Sequence, residues 1–442
     1  MSGSVTAIVG SLVASLAIQV CGVLTGIITA RVLGPVGKGE LTAVLLWPAL
    51  LQGLVALGVM PATTYFAAKN GAGVFGTALF TSLGQASLLA ALGFCLAPVV
   101  LGSYGREVVL AGQVCAVSMG VATVAENQMA LLNGHMRFRA YNGLRFWVTA
   151  CATLGVLVLA AAGLLTVLHV VLAWLLANGA TLLAALWLQP ARRINFQAEL
   201  FRQLLGYAAR VYPGNLSSLL NNRLDQLIIS IALAPADLGL YAVAVTLAAG
   251  VGLVGSAFVS VALPAVSRAG SLDEQREVAG RLSRLAATSS ALSALALVGL
   301  LPFLIALFFG PDFLPATDAA RILVVGSFFF NMSLVLAAIL RGLDRPFDAS
   351  KGDMASLVLT VIGLVALLGP LGILGAALVS LVAYAANCAW LTWAGSRALG
   401  FSPVSLWLPA AADLAFVAGR IKLAARSGAA RPGQATPARG DQ

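Results

Sequence analysis

Charged residues are scarce in this sequence. Lys, Arg, Asp and Glu make up only 10% of the 442 residues, whereas hydrophobic residues make up 60%. An ordinary soluble domain contains about 25% charged residues. The mean hydropathy of +0.97 is correspondingly high. This composition excludes an ordinary soluble protein and predicts a membrane protein that crosses the bilayer many times.

Residues that bind metals or carry out covalent chemistry are also few. His135 and His169, the two histidines, have no cysteine or acidic neighbour at ligand spacing. The five cysteines lie in apolar runs without disulfide or metal spacing. The sequence contains no Gly-rich phosphate loop, HExxH motif or nucleophile elbow. We therefore expect neither a cofactor nor an enzyme. The enzyme-class alternative, a polysaccharide polymerase or ligase, usually needs a long outer loop, and the outer loops here are short.

Apolar runs follow one another almost without interruption. A helix needs about 20 predominantly apolar residues to cross a bilayer. The runs predict twelve crossings, at 5–30, 41–66, 74–101, 107–132, 145–164, 167–188, 205–233, 239–263, 286–309, 318–340, 354–370 and 373–394. The first run continues for a full crossing after an N-terminus without a basic region, so no cleavable signal peptide is expected. The predicted fold class is an all-α polytopic membrane protein.

Lys and Arg are distributed unevenly between the two sides of these crossings. With the N-terminus inside, the outer loops carry only Arg31, Lys38 and Arg106. The sixteen on the inner side are Lys69, Arg137, Arg139, Arg145, Arg192, Arg193, Arg202, Arg210, Arg268, Arg276, Arg281, Arg284, Arg341, Arg345, Lys351 and Arg397. This asymmetry predicts a protein of the cytoplasmic membrane with both termini in the cytoplasm. It explains the net charge of +10 by contact with membrane lipids, without nucleic acid.

The crossings and the segments between them predict five domains or segments. These are an N-terminal six-helix lobe (1–188), a cytoplasmic inter-lobe linker (189–204), a C-terminal six-helix lobe (205–397), an interfacial or incomplete helix with a basic segment (398–426), and a disordered tail (427–442). Within the second lobe, 272–285 has apolar residues on one side and arginines on the other. That pattern predicts an amphipathic helix on the inner membrane surface.

An internal repeat relates the two lobes. LGPVGKGELTAV, from Leu33 to Val44, aligns without gaps with LAPADLGLYAVA, from Leu233 to Ala244. The identical pairs are Leu33 with Leu233, Pro35 with Pro235 and Gly39 with Gly239. LNGHMR (132–137) and LRGLDR (340–345) form a second echo at an offset of 208. Because six crossings is an even number, the repeats are parallel, an arrangement known in transporters that place substrate between two halves.

Several motifs carry a resemblance to a known family. They are ARVLGPVGKGEL (30–41), NNRLDQLIIS (221–230) followed by LGLYAVA, Pro264, FFGPDF (308–313) and LRGLDRP (340–346). The chain resembles the Wzx-type polysaccharide flippases of the multidrug, oligosaccharidyl-lipid and polysaccharide (MOP) superfamily. The resemblance implies two parallel six-helix lobes around a central cavity lined by the first and seventh helices. It also implies a polyprenyl-diphosphate-linked oligosaccharide as cargo, with a polysaccharide polymerase and glycosyltransferases as candidate partners.

The seventh predicted helix carries charge inside an apolar run, YPGNLSSLLNNRLDQLIISI (212–231). Ionisable residues within membrane helices usually mark a substrate or ion pathway. At 100° per residue, one polar arc contains Asn215, Ser218, Asn221, Asn222, Asp225 and Gln226, with Arg223 at its edge. Arg223 suits a diphosphate, and the amides suit sugar hydroxyls. A structural polar network between helices is the alternative.

Two further helices offer candidate residues. Ser11, Ser15 and Gln19 form a narrow polar stripe on the first helix, which either lines the same cavity or packs against a neighbour. Glu126 on the fourth helix is a proton or Na⁺ site, a gate paired with a nearby arginine, or part of a structural ion pair. Coupling to a gradient through Asp225 or Glu126 therefore remains a hypothesis.

Three functions compete at this level. The motifs favour a flippase that moves a lipid-linked oligosaccharide from the inner to the outer leaflet by alternating access. A cation-coupled drug antiporter of the same superfamily is the closest alternative, although such antiporters generally rely on acidic cavity residues. The first helix here has none. A non-transporting scaffold for glycan synthesis is the third.

Overall fold

A computed structural model describes residues 2–189, 194–400 and 402–408. In these ranges the regular structure is helical. The helices are α1 (Ser2–Ala56), α2 (Val59–Asn70), α3 (Phe75–Val100), α4 (Arg106–Gly134), α5 (Phe138–Ala161), α6 (Val167–Trp187), α7 (Ala198–Ala232), α8 (Pro235–Ala248), α9 (Gly252–Arg268), α10 (Leu272–Leu304), α11 (Thr317–Gly342) and α12 (Pro346–Leu399).

The two longest helices, α1 and α12, are each a pair of crossings joined by a tight turn. Gly34 in α1 and Gly372 in α12 have φ of 68° and 55°, a left-handed conformation that favours glycine. Across the first turn, Lys38 Nζ lies 3.1 Å from Thr29 Oγ1. The turns fall where the sequence separates its first two and its last two predicted crossings, so those boundaries are confirmed.

Twelve crossing segments can be counted in the described ranges. Eight helical stretches are long and apolar enough to cross a membrane. The stretches in α1 and α12 each contain two crossings, so the eight stretches provide ten crossings. The other two predicted crossings correspond to α7 and to α8 with α9. The predicted crossing at 239–263 is interrupted, because a short 3₁₀ turn at Ala249–Val251 separates α8 from α9. The all-α polytopic class is confirmed.

The first of two compact units comprises 1–249, 298–324 and 353–383. Its centre is α4, where small residues allow helices to approach closely. A β-carbon on Gly93 would overlap the Ala116 side chain, and one on Gly120 would lie 3.1 Å from the Ala86 carbonyl oxygen. Close approach through small residues is the usual basis of helix packing in membranes. Both predicted lobes contribute residues to this unit, and the division into lobes remains a prediction.

The second unit comprises Gly250–Leu297, Val325–Gly352 and the described residues from Tyr384 onward. Its core includes Val266, Leu336 and Leu391, all buried. The predicted amphipathic segment 272–285 is helical, but it is the beginning of α10 rather than a separate surface helix. Its Val278 and Leu282 pack against this protein core, so the predicted position against lipid is wrong for these side chains.

The start of α10 also holds the segment that follows α12. Ser283 Oγ donates a hydrogen bond of 2.7 Å to the Leu406 carbonyl, and Arg284 Nη1 donates one of 3.2 Å to the Ser405 carbonyl. Leu406 is fully buried. The predicted interfacial segment 398–426 is therefore docked on protein at 405–407, where Trp407 also packs against the core. Its remainder and the predicted tail 427–442 lie outside the described residues.

The inter-lobe linker packs on the beginning of α3. The backbone N–H of Gln197 donates to Thr77 Oγ1 at 3.1 Å, and the ring of Phe196 contacts that of Phe80 edge to face. Residues 190–193 of this linker lie outside the described residues. The contacts direct the chain into α7, which carries the charged residues singled out in the sequence.

Candidate functional site

Arg223 and Asp225 lie on the same helix in different surroundings. Both belong to α7, and residues two positions apart on a helix point to different faces. Arg223 is exposed, whereas only 9% of Asp225 is accessible. This separation of the two charges agrees with the helical geometry read from the sequence.

Asp225 is held by hydrogen bonds on both carboxylate oxygens. The hydroxyl of Tyr241 donates to Oδ2 at 2.7 Å, and the backbone N–H of Gln226 donates to Oδ1 at 2.7 Å. Tyr241 is fully buried on α8, and its hydroxyl lies 3.5 Å from Ser380 Oγ on α12. Asp225 thus joins α7 to α8 through one charge-assisted bond. Sequence reasoning missed Tyr241, whose only signal was a phenol in an otherwise apolar run.

Arg223 has a different set of contacts. Its Nη1 donates to Gln226 Oε1 at 3.3 Å, and the buried Gln226 side chain therefore orients the guanidinium. In the described part of the chain, no carboxylate lies within 4 Å of the Arg223 guanidinium nitrogens. An arginine carries five N–H donors in a fixed fork. Arg223 can therefore bind an external anion while Gln226 holds its position.

The rest of the predicted cavity face is only partly described. The backbone of α7 is helical through Asn215, Ser218 and Asn222, but their side chains lie outside the described residues. Gln19 is exposed on the first half of α1, and Ser15 is half-buried. Their assignment to a common cavity remains a prediction.

Glu126 on α4 contacts an amide rather than an arginine. Gln52 Nε2 lies 3.4 Å from Glu126 Oε2 and 3.2 Å from Thr123 Oγ1. Arg137 instead donates to the Leu188 carbonyl at 2.5 Å, and Arg145 lies over the Tyr141 ring. The predicted pairing of Glu126 with a neighbouring arginine is therefore absent from the described residues.

The contacts around Glu126 leave its charge without a cation. A carboxylate in a membrane helix is costly unless it is protonated or binds a cation. The sequence did not single out its amide and hydroxyl neighbours, Gln52 and Thr123. One residue further on, Asn127 accepts a bond of 3.2 Å from Thr63 and so joins α4 to α2. The polar face of α4 thus combines interhelical bonds with one uncompensated acid.

No group of three His, Cys, Asp or Glu side chains suited to a metal occurs among the described residues.

Comparison with known sequences identifies a family model that matches this chain. The model is described as polysaccharide biosynthesis protein and matches residues 28–318, which include α1 from Ile28 onward and the whole of α7. A search of curated protein sequences gave no match.

Solved structures share the fold. The lipid II flippase MurJ in an inward closed conformation matches with a TM-score of 0.72 at 12% identity, over 90% of this chain and 88% of that one. An inward-facing multidrug resistance MATE family transporter of the MOP superfamily matches with a TM-score of 0.70 at 16% identity, over 87% and 94%. A MOP superfamily transporter from Pyrococcus furiosus gives 0.58 at 16% identity, over 89% and 95%. At these identities the likeness establishes the fold.

Proposed function

This chain belongs to the polysaccharide biosynthesis protein family, and from that premise we propose that it is a flippase of the cytoplasmic membrane. It moves a polyprenyl-diphosphate-linked oligosaccharide from the inner to the outer leaflet by alternating access. The family match and the fold shared with MurJ support a lipid-linked substrate. The proposed role is transport of cargo made by glycosyltransferases and used by a polysaccharide polymerase.

The observation that carries this proposal is the Arg223 guanidinium. It is exposed on α7, oriented by Gln226, and has no carboxylate within 4 Å among the described side chains. A diphosphate offers the planar, multiply charged acceptors that an arginine fork binds in bidentate geometry. We assign the diphosphate to Arg223 and the sugar hydroxyls to the amide-bearing face of α7, formed by Asn215, Ser218, Asn222 and Gln226, together with Gln19 on α1.

Gradient coupling is assigned to Glu126 ahead of Asp225. Asp225 already receives two hydrogen bonds and joins two helices. Glu126 has only an amide contact at 3.4 Å. A proton or Na⁺ at Glu126 therefore changes the charge there and leaves the hydrogen bonds of Asp225 in place. The cation would bind at the Glu126 carboxylate, beside the Thr123 hydroxyl oxygen.

A cation-coupled drug antiporter is the second candidate, favoured by the fold shared with the MATE family transporter and by the half-buried acid Glu126 on α4. The two functions predict different results when the gene is deleted. After deletion of the gene, a flippase leaves lipid-linked oligosaccharide on the cytoplasmic leaflet. An antiporter leaves surface glycan unchanged and raises drug sensitivity.

The first prediction concerns Arg223. Arg223→Ala removes the proposed diphosphate contact, so we expect a loss of export of at least about 10-fold, equivalent to about 1.4 kcal/mol. The measurement is complementation of the deletion strain, with lipid-linked intermediates assigned to their leaflet. Arg202→Ala is the matched control, because Arg202 is exposed on the same helix but outside the predicted polar arc. Normal export by a folded Arg223→Ala protein would remove Arg223 from the substrate site.

A further inference from the structure

The two copies of the repeated motif pack directly against each other. Gly39 on α1 and Gly239 on α8 occupy equivalent positions in the repeat, and both are buried. A β-carbon on Gly39 would overlap the Pro235 carbonyl oxygen and lie 2.6 Å from its carbonyl carbon. A β-carbon on Gly239 would overlap the Pro35 carbonyl oxygen and lie 3.0 Å from its carbonyl carbon. Each glycine therefore meets the proline of the other copy.

This contact is reciprocal in the manner of a twofold interface. The glycine of the first copy, Gly39, contacts the proline of the second, Pro235, and the glycine of the second copy, Gly239, contacts the proline of the first, Pro35. The positions that the β-carbons would take are also within 3.0 Å of the opposite glycine nitrogens. The atoms in contact are backbone atoms, which cannot rotate away as a long side chain can. Only a residue without a side chain fits at either position.

Three hydrogen bonds at the same end of the first unit join the same two halves of the chain. Arg31 Nε donates to the Phe308 carbonyl at 2.9 Å, and its Nη2 donates to the Leu307 carbonyl. The Tyr104 hydroxyl donates to the Ser230 carbonyl at 2.6 Å. Burial and the nearby charge of Glu40 raise the pKa of Tyr104, which keeps this hydroxyl protonated.

We propose that the Gly39–Gly239 contact is the closing contact of alternating access. It forms when this end of the transporter is shut and separates when this end opens, with the Arg31 and Tyr104 bonds released in the same step. The two glycines set the balance between the states, because a side chain at either position excludes the shut state. The inference rests on the proposed transport by alternating access, and it assigns a positioning role to residues that do not touch substrate.

The test uses the full-length protein in lipid nanodiscs, with its five cysteines replaced and spin labels at Val36 and Ala234. Both labelling sites are exposed, one on each copy of the motif. Gly39→Ala and Gly239→Ala are each expected to shift the label-to-label distance upward by about 1 Å or more. The reason is that a separation of 2.6 Å must grow to the 3.5–4.0 Å of ordinary contact. Because either substitution breaks the same contact, the double variant should add little to the single shifts.

Gly26→Ala is the matched control. Gly26 is on the same helix, and no atom beyond its own helix backbone lies within 4 Å of its added β-carbon. This variant should leave the distance unchanged. Unchanged distances in folded Gly39→Ala and Gly239→Ala proteins, or an equal shift in Gly26→Ala, would overturn the proposal.

A second measurement avoids substitution of the glycines. Val36→Cys and Ala234→Cys are joined by a short cleavable bismaleimide, and export is measured before and after cleavage. We expect export to stop in the joined protein and to recover on cleavage, whereas full export by the joined protein would contradict the proposal. The two proposals can fail separately. If the label distances shift as expected but the deletion strain accumulates no lipid-linked oligosaccharide, the closing contact is supported and the proposed cargo is wrong.

Discussion

At the scale of single residues, Arg223 and Asp225 have separate roles. The helical period predicts that they point to different faces, and the structure has one exposed and the other buried. The partner of Asp225 was not predictable. Tyr241 lies 16 residues further along the chain and belongs to an apolar run. Only the packing of α8 on α7 brings its hydroxyl to the carboxylate, and a single sequence does not reveal such a long-range contact.

The two acids, Asp225 and Glu126, differ in a way that matched substitutions can test. Asp225→Asn keeps an oxygen that accepts from Tyr241, so we expect a folded protein that retains most of its export and its response to a gradient. Glu126→Gln removes a carboxylate that has no cationic or phenolic partner among the described residues, so we expect export that no longer responds to a proton or Na⁺ gradient. The measurement is export of lipid-linked oligosaccharide in membrane vesicles with each gradient imposed in turn. A gradient response that survives Glu126→Gln and disappears in Asp225→Asn would transfer coupling to Asp225.

At the scale of helices, predictability depended on local stop signals. The turns at Gly34 and Gly372 were predictable, because a proline lies next to or near a glycine at each site and ends an apolar run. The turn between α8 and α9 was missed, since Ala249–Val251 offers no polar or proline signal. The docking of 402–408 was also missed, because it depends on hydrogen-bond donors and a pocket supplied by α10, more than 100 residues earlier.

The docked segment after α12 supports a prediction about stability. Leu406→Ala removes a fully buried side chain from the core of the second unit, so we expect a loss of about 2–5 kcal/mol in the free energy of unfolding. Leu408→Ala is the control in the same segment, because Leu408 is 63% exposed and should change stability little. Thermal unfolding of the purified proteins in detergent, followed by tryptophan fluorescence, compares the two. Equal melting temperatures for Leu406→Ala and the unsubstituted protein would show that this segment does not stabilise the fold.

At the scale of the whole molecule, the distribution of Lys and Arg predicts which side of the membrane the Gly39–Gly239 contact of the repeat faces. Twelve crossings, an even number, put both ends of the helical region on one side of the membrane. The distribution of sixteen basic residues against three predicts that this side is the cytoplasm. The turn at Gly34, and with it the Gly39–Gly239 contact, would then face outward. The contact would close the outer end, leaving the inner end to admit a substrate made in the cytoplasm.

Reporter fusions test this orientation directly. Alkaline phosphatase joined after Gln442 should be inactive, because the enzyme folds only outside the cytoplasm, and a green fluorescent protein at the same position should fluoresce. Phosphatase inserted after Leu164, an exposed residue in a predicted outer loop between α5 and α6, should be active and serves as the control. The opposite pattern would invert the molecule and place the glycine contact on the cytoplasmic side. The described contact would then close the cytoplasmic end, and the structure would correspond to the other state of the proposed alternating-access cycle.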